Sequence, residues 1–332
     1  MTDAALFPPS LPVLNDMRRT ASGREWLEQL PALVGEFRER WELRLGAPYH
    51  GGSCSWVAPA RRTDGTRAVL KVTWPHREAR PEGEVLKLWA GRGSVLVLEH
   101  DPGRYALLLE RCEPGTELGA AGEIPAGERL LLGAGVLRRL WDAGREAWEG
   151  GPPRDAATSV ERLSDVAAEW ADLVEERAER HGRTGALDTG VTALGAELLR
   201  ELPLSARRET VLHGDFNPGN LLAAERTPWL AIDAKPMYGD PAFDPWRLVE
   251  QIDDPFAHDD PRRTLAHRTE LVADALGEDV ARMRAWAVAR QVEHALWAAD
   301  GDGETARAEG GELRVAVRML ERARVLAELA GL

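Results

Sequence analysis

Asp215 and Asn220 stand five positions apart in His213-Gly214-Asp215-Phe216-Asn217-Pro218-Gly219-Asn220, and Asp233 follows thirteen residues after Asn220. An apolar run, Thr210-Val211-Leu212, feeds the octet, and a second, Trp229-Leu230-Ala231-Ile232, delivers Asp233. Two acids and an amide in this order suit phosphoryl transfer from ATP. The first carboxylate orients an attacking hydroxyl or takes its proton, and the amide oxygen and second carboxylate hold Mg2+ on the phosphates. Pro218 and Gly219 supply the tight reversal that returns Asn220 across the loop. His213 reads as a structural hydrogen-bonder that fixes the loop. An acid ending an apolar run, as Asp233 does, is costly to bury without a cation, and a divalent ion meets that need.

A lysine completes the set. Lys71 lies in Ala68-Val69-Leu70-Lys71-Val72, a strand-like run with one cation, and is expected to neutralise the nucleotide's α- and β-phosphates. It needs an acidic partner. Glu84 on the following helix, thirteen residues on, is the leading candidate, with Glu82 and Glu78 as alternatives one helical turn of error apart. Only Lys71, Lys87 and Lys235 are lysines in an arginine-rich chain, so a lysine kept here is expected to be needed as lysine. Gly51-Gly52-Ser53-Cys54-Ser55 forms a glycine turn whose amides and Ser53 hydroxyl would cover the phosphates. It is not a Walker A motif, because no Gly-Lys-Ser or Gly-Lys-Thr follows, and a plain hairpin turn accounts for it equally well. Glu110-Arg111-Cys112 is the expected hinge, offering backbone donors and acceptors to adenine.

These groups need a scaffold. Residues 1–22 read as an arm or loop, and Arg24–Leu43 as a helix interrupted at Pro31. Strands are expected at Arg44–Tyr49, Ser53–Pro59 and Arg67–Thr73, the last two joined at Thr63-Asp64-Gly65. A helix over Glu78–Ala90 and a hairpin of Val95–Leu98 with Tyr105–Glu110 follow. Beyond a boundary at Arg111–Gly115 helical periodicity dominates, at about 127–148, 159–180, 188–201, 243–252, 261–276, 279–299 and 304–330, broken by a Gly150-Gly151-Pro152-Pro153 linker and the strand-like insert 210–232. The pattern is an α+β chain of two lobes. The expected divisions are an N-terminal arm and helices at 1–43, a nucleotide-binding sheet lobe at 44–112, and a helical lobe with the catalytic loop and acceptor site at 113–332.

Composition narrows the partners. The 332 residues carry a net charge of −13. Residues 1–112 hold 16 basic against 14 acidic side chains, and the remainder 26 against 41. Nucleic acid and acidic membranes are therefore poor partners, and a small cationic acceptor is favoured, although an acidic balance also serves solubility alone. No run of eighteen apolar residues is present, and the first thirty lack a signal-peptide pattern. Two cysteines, Cys54 and Cys112, form no disulfide framework or zinc spacing, so the expected compartment is the cytoplasm. Asp240, Asp244, Glu250 and Glu293 are acidic candidates for the acceptor, with Asp240 and Asp244 preferred because they follow the metal loop closely. Trp246, Trp286 and Trp297 fit core helices better than a stacking platform.

With these residues in view, the chain resembles the aminoglycoside phosphotransferase family over about residues 44–250. Gly51–Ala60, Ala68-Val69-Leu70-Lys71, Ile232-Asp233-Ala234-Lys235-Pro236 and Gly239-Asp240-Pro241-Ala242-Phe243-Asp244 are similar to the streptomycin 6-phosphotransferase and hydroxyurea phosphotransferase branch. The resemblance implies a bilobal protein-kinase-like fold, ATP and magnesium, and phosphorylation of an antibiotic hydroxyl, most directly on streptomycin or a related aminoglycoside. It carries the roles of base or orienter, metal ligands and phosphate cation to Asp215, Asn220 with Asp233, and Lys71. Asp233-Ala234-Lys235 stands where protein kinases have Asp-Phe-Gly, so activation-loop regulation is not implied. The alternatives are a kinase for another small metabolite or hydroxyurea, and a nucleotide-binding pseudokinase. The intact set of Asp215, Asn220, Asp233 and Lys71 argues against the last.

Overall fold

A computed structural model describes residues 3–148, 160–182, 187–300 and 312–332. The expected linker at Gly150–Pro153 and the start of the expected helix at 304–330 lie outside them.

Five antiparallel strands build the first sheet, in the order β1-β2-β3-β5-β4: β1 Leu43–Leu45, β2 Ser55–Arg62, β3 Arg67–Thr73, β4 Val97–Asp101 and β5 Ala106–Glu110. The β2–β3 hairpin turns where Asp64 Oδ1 accepts from the Thr66 amide at 2.8 Å and Gly65 takes a positive φ of 91°. Alternation along β3 sends Ala68, Leu70 and Val72 to one face and Lys71 to the other. The first face packs on three N-terminal helices, α1 Asp3–Leu6, α2 Pro12–Met17 and α3 Ala21–Arg40. The segment expected as an arm is thus ordered helix, because Leu6, Leu11, Val13 and Leu14 close the back of the sheet, and Trp56 Nε1 donates to the Leu6 carbonyl at 2.8 Å. Nor does Pro31 interrupt α3, which Thr20 caps by accepting from the Gly23 amide. The proline ring sits on the exposed face, where it does not disturb the packed side of the helix.

The second lobe is mainly helical: α5 Ala126–Trp148, α6 Leu163–Gly182, α7 Thr189–Leu204, α8 Trp246–Gln251, α9 Pro261–Leu276, α10 Val280–Ala299 and α11 Glu312–Ala330. Trp141, Trp246 and Trp286 lie in its core. Short strands hold the chemistry-bearing loops. One group orders β6 Glu161–Arg162, β10 Met237–Gly239 and β7 Thr210–Leu212, and the other pairs β8 Leu221–Ala223 with β9 Trp229–Ala231. The Asp215 loop joins β7 to β8, and Asp233 sits in the turn between β9 and β10. β6 and β10 were not anticipated, since two and three residues are too few for a periodic signal.

The lobes share packing as well as a chain crossing. Helix α4, Glu82–Trp89, contributes Val85, Leu86 and Trp89 to the same core as Leu107, Leu109, Leu137 and Leu230. Ala231 pairs with the loop before β4, accepting from Val95 N at 3.1 Å and donating to Gly93 O at 2.8 Å. Arg77, just ahead of α4, forks onto both Glu161 and Glu169 of the helical lobe.

Candidate active site

The catalytic loop is built by its backbone. His213 ends the buried β7 segment, is fully buried, and bonds the Ile232 carbonyl through Nε2 at 3.1 Å. Its ring stacks on Trp89 and meets Phe216 edge-on, and burial holds its pKa below the ordinary histidine value. It is a structural imidazole with no route to substrate. Gly214 follows at φ 81°, and a Cβ there would run into the Lys235 carbonyl, so only glycine fits. Asn217 caps the short turn Pro218–Asn220, its Oδ1 accepting from the amides of Gly219 and Asn220. This reversal lets Asn220 Nδ2 donate to the Asp215 carbonyl at 3.0 Å, so its amide oxygen Oδ1 is the end not used in that bond.

The Asp215 carboxylate is held at both oxygens. Oδ1 accepts from Asn217 Nδ2 at 3.1 Å, and Oδ2 lies 3.2 Å from Lys235 Nζ. Burial works to raise its pKa, but Lys235, Arg247 and the Asn217 hydrogen bond outweigh it and bring the carboxyl down to about 2. Such an acid is ionised at neutral pH and is a weak base.

Across the cleft, Lys71 Nζ bonds both oxygens of Glu82, at 2.7 and 2.8 Å, and Asp233 Oδ1 at 2.5 Å. Burial alone would lower the ammonium's pKa; Asp233 and Glu82 more than offset it, so Lys71 stays charged. Asp233 takes a positive φ of 57°, a conformation that a short polar side chain tolerates in a tight turn, and its side chain is 48% exposed to the cleft. The structure therefore brings Lys71, Asp215, Asn220 and Asp233, residues from two lobes, to one site. The exposed Gly51-Gly52-Ser53 turn lies between β1 and β2, with Gly52 at φ 85°. Glu110 and Cys112 lie where β5 leaves for the helical lobe. The Glu110 side chain is spent on Arg226 and on the Leu96 amide, and burial raises the Cys112 thiol to about 12.

Three expectations need correction. Glu84 is not the partner of Lys71: it lies 3.2 Å from His100 Nδ1 and near Lys87, while Glu82 takes the lysine. Two residues on a helix point to different faces, and α4 begins at Glu82 rather than Glu78, which shifts the phase. Asp240 and Asp244 do not face an acceptor. Asp240 is 3% exposed, with Oδ2 bonded to Arg282 Nε at 2.7 Å and Trp286 Nε1 at 2.6 Å. Asp244 is 1% exposed and accepts from Trp141 Nε1 and from the amides of His213 and Gly214. Both carboxylates are consumed by the interior.

Besides Lys235, charged side chains near Asp215 come from α8 and α10. Arg247 Nη1 donates to Glu250 Oε2 at 3.2 Å and approaches His294 Nδ1 at the same distance. Arg290 Nη1 lies 3.5 Å from Glu293 Oε2, and its guanidinium sits over Trp170 and Phe243. Arg247 lowers the pKa of Asp215, and Asp215 acts in turn on Arg290. Glu250 and Glu293 were weighed in the sequence and set behind Asp240 and Asp244. Lys235 was noticed as a rare lysine and given no role; its position two residues after Asp233 was the available signal.

The described residues contain no helix long and apolar enough to cross a membrane. The profile of the aminoglycoside/hydroxyurea antibiotic resistance kinase family matches residues 40–303. A streptomycin 6-kinase of Streptomyces glaucescens is 37% identical over 276 residues, covering 83% of this chain and 85% of the relative. A hydroxyurea phosphotransferase of Kitasatospora aureofaciens is 37% identical over 303 residues, covering 91% and 82%. Among solved structures, a choline kinase from Streptococcus pneumoniae superimposes with a TM-score of 0.59 at 13% identity, covering 89% of this chain and 99% of that one. That likeness is one of fold, a small antiparallel sheet joined to a helical lobe as in protein kinases.

Proposed function

The chain belongs to the aminoglycoside/hydroxyurea antibiotic resistance kinase family, and from that premise we propose that it is an ATP-dependent phosphotransferase acting on a hydroxyl of streptomycin or a closely related cationic aminoglycoside. The observation that carries the reading is the convergence of Lys71 and Asp233 across the cleft with the pinned Asp215 loop beside them. A binding module has no use for a carboxylate held ionised at a cleft next to a lysine-bound acid.

In the mechanism, Lys71 receives the nucleotide's inner phosphates, oriented by Glu82. Asp215 accepts a hydrogen bond from the acceptor hydroxyl and aligns its oxygen with the terminal phosphorus. With a pKa of about 2, it acts chiefly by orientation and charge, taking the proton only as the new bond forms. The Asn220 amide oxygen and the half-exposed Asp233 carboxylate are hard oxygen donors that would hold Mg2+. When bound, that ion supplies charge neutralisation at the phosphates. Asp240 and Asp244 are committed to interior partners, and Glu250 and Glu293, 10% and 15% exposed, are each paired with an arginine of their own helix, Arg247 and Arg290. ATP use and two free cysteines, Cys54 and Cys112, fit work in the cytoplasm.

A panel tests the reading: purified protein, Mg-ATP, and streptomycin, hydroxyurea, choline or a simple sugar, followed by ADP release. Stimulation by streptomycin is expected. Stimulation by hydroxyurea alone assigns the chain to the chemistry named for its other relative. No stimulation by any acceptor contradicts the proposal.

A further inference from the structure

We propose that Lys235 is a catalytic residue of this site, its ammonium reaching from Asp215 to an oxygen of the terminal phosphoryl group of ATP. The inference rests on the phosphotransferase reading above and adds a second cation to it.

The turn between β9 and β10 sends two charges in opposite directions. Asp233 points to Lys71, and Lys235, two residues later, points to Asp215. The backbone of Lys235 is clamped to the catalytic loop. Its amide donates to the His213 carbonyl at 2.8 Å, and its own carbonyl packs where a Cβ of residue 214 would stand. The side chain consequently has little freedom at its root, and its position follows that of the loop.

At the tip, Nζ lies 3.2 Å from Asp215 Oδ2 and 4.0 Å from Glu78 Oε2, while the side chain stays 41% exposed to the cleft. An ammonium carries three donors, so two acidic neighbours leave one free to bind another anion. Asp215 does not need this lysine merely to be held, because Asn217 Nδ2 already donates to its carboxylate. Lys71 cannot serve the terminal phosphoryl group as well as the inner ones. Its side chain is 8% exposed, and Glu82 takes two of its three donors, which leaves only the donor now on Asp233 for the inner phosphates. Charge gathers on the outer oxygens of the transferring group, and a cation beside the attacking hydroxyl is where it is most effective. The residue type agrees. Among 42 basic residues only three are lysines, and a compact ammonium fits between two carboxylates and a phosphoryl oxygen where a planar guanidinium does not.

In the step so assisted, the bond from the γ-phosphorus to the β–γ bridging oxygen breaks and its electron pair leaves with ADP. The acceptor oxygen bonds to phosphorus and gives its proton to Asp215. Lys235 keeps its protons throughout and neutralises the phosphoryl oxygens.

Calorimetric titration with ADP and with the imido-bridged, non-hydrolysable analogue of ATP tests this without any acceptor. Melting temperatures confirm that each variant is folded. Lys235→Met should lower the preference for the triphosphate over ADP by about tenfold or more, the loss expected for one charge-assisted hydrogen bond. Lys235→Gln, which retains a donor but no charge, should lower it similarly, and provides the test should the methionine variant fail to fold. A triphosphate-to-ADP ratio unchanged from wild type, whether both affinities hold or both fall together, overturns the proposal. Failure of the wild-type protein to bind either nucleotide would instead remove the phosphotransferase reading itself.

Discussion

Asp244 Oδ1 accepts a hydrogen bond from the Gly214 amide at 2.9 Å, and its other oxygen accepts from the neighbouring His213 amide at 3.0 Å. A carboxylate 1% exposed, thirty residues from the loop, thus fixes the peptide that precedes Asp215. Asp244→Ala leaves both amides without that partner and is expected to cost about 1–3 kcal/mol of stability. Because the loop carries the reacting carboxylate, kcat should fall while nucleotide affinity stays near wild type. Urea denaturation and steady-state kinetics check the pair. A variant as stable and as active as wild type would show that the loop holds itself.

Gly214→Ala meets both a positive φ and the Lys235 carbonyl, whereas Gly65, also at positive φ, has open space around it. Gly65→Ala should cost about 1 kcal/mol, the conformational penalty alone. Gly214→Ala should cost clearly more and abolish turnover. Equal denaturation midpoints for the two variants would contradict the packing described.

Glu82 and Glu84 offer an internal control on the same helix. Glu82→Gln weakens the hold on Lys71 and should lower kcat/KM for ATP by roughly 10–100-fold, the cost of a buried charge-assisted bond. Glu84→Gln should leave it within about twofold, since Glu84 faces His100. A larger effect at Glu84 would reverse the assignment.

His294 links stability to pH. Burial first, then Arg247 and Arg290, push its pKa from 6.5 to about 3. Below the unfolded value the denatured chain binds a proton that the native protein refuses. Stability therefore falls as the pH drops from about 6.5 towards 3, and rises with pH through the same window. Between about pH 6 and pH 5 the loss from this group approaches about 1 kcal/mol. Denaturation curves at these values, compared with His294→Gln, isolate it: the variant should show the shallower pH dependence, and parallel slopes would contradict the shift.

What could be read in advance depended on distance along the chain. Asp215, Asn220 and Asp233 were legible because their spacing and apolar flanks encode two strand–loop units, and Lys71 because a lone cation interrupts an apolar strand. Asp240 and Asp244 misled because a sequence displays charge without burial; the tryptophans and arginine that consume them lie far away, Trp141 and Trp286 among them. Glu84 was preferred over Glu82 through helix phase, which depends on where the turn at Trp74–Pro81 ends. The first two N-terminal helices, α1 and α2, were missed because their apolar residues are too few for a period and find meaning only against the back of a distant sheet. Lys235 was visible as a rare lysine, but its direction follows from a backbone contact with His213 that no local pattern reports.

The most direct test of the central claim uses Asp215→Ala with Mg-ATP and the acceptor that most stimulates ADP release by the wild-type protein. Turnover should fall by roughly 10²–10⁴-fold, the loss of a positioned carboxylate, while nucleotide affinity changes little. Acceptor-stimulated ADP release at the wild-type rate would contradict the assignment of Asp215, and with it the site as described.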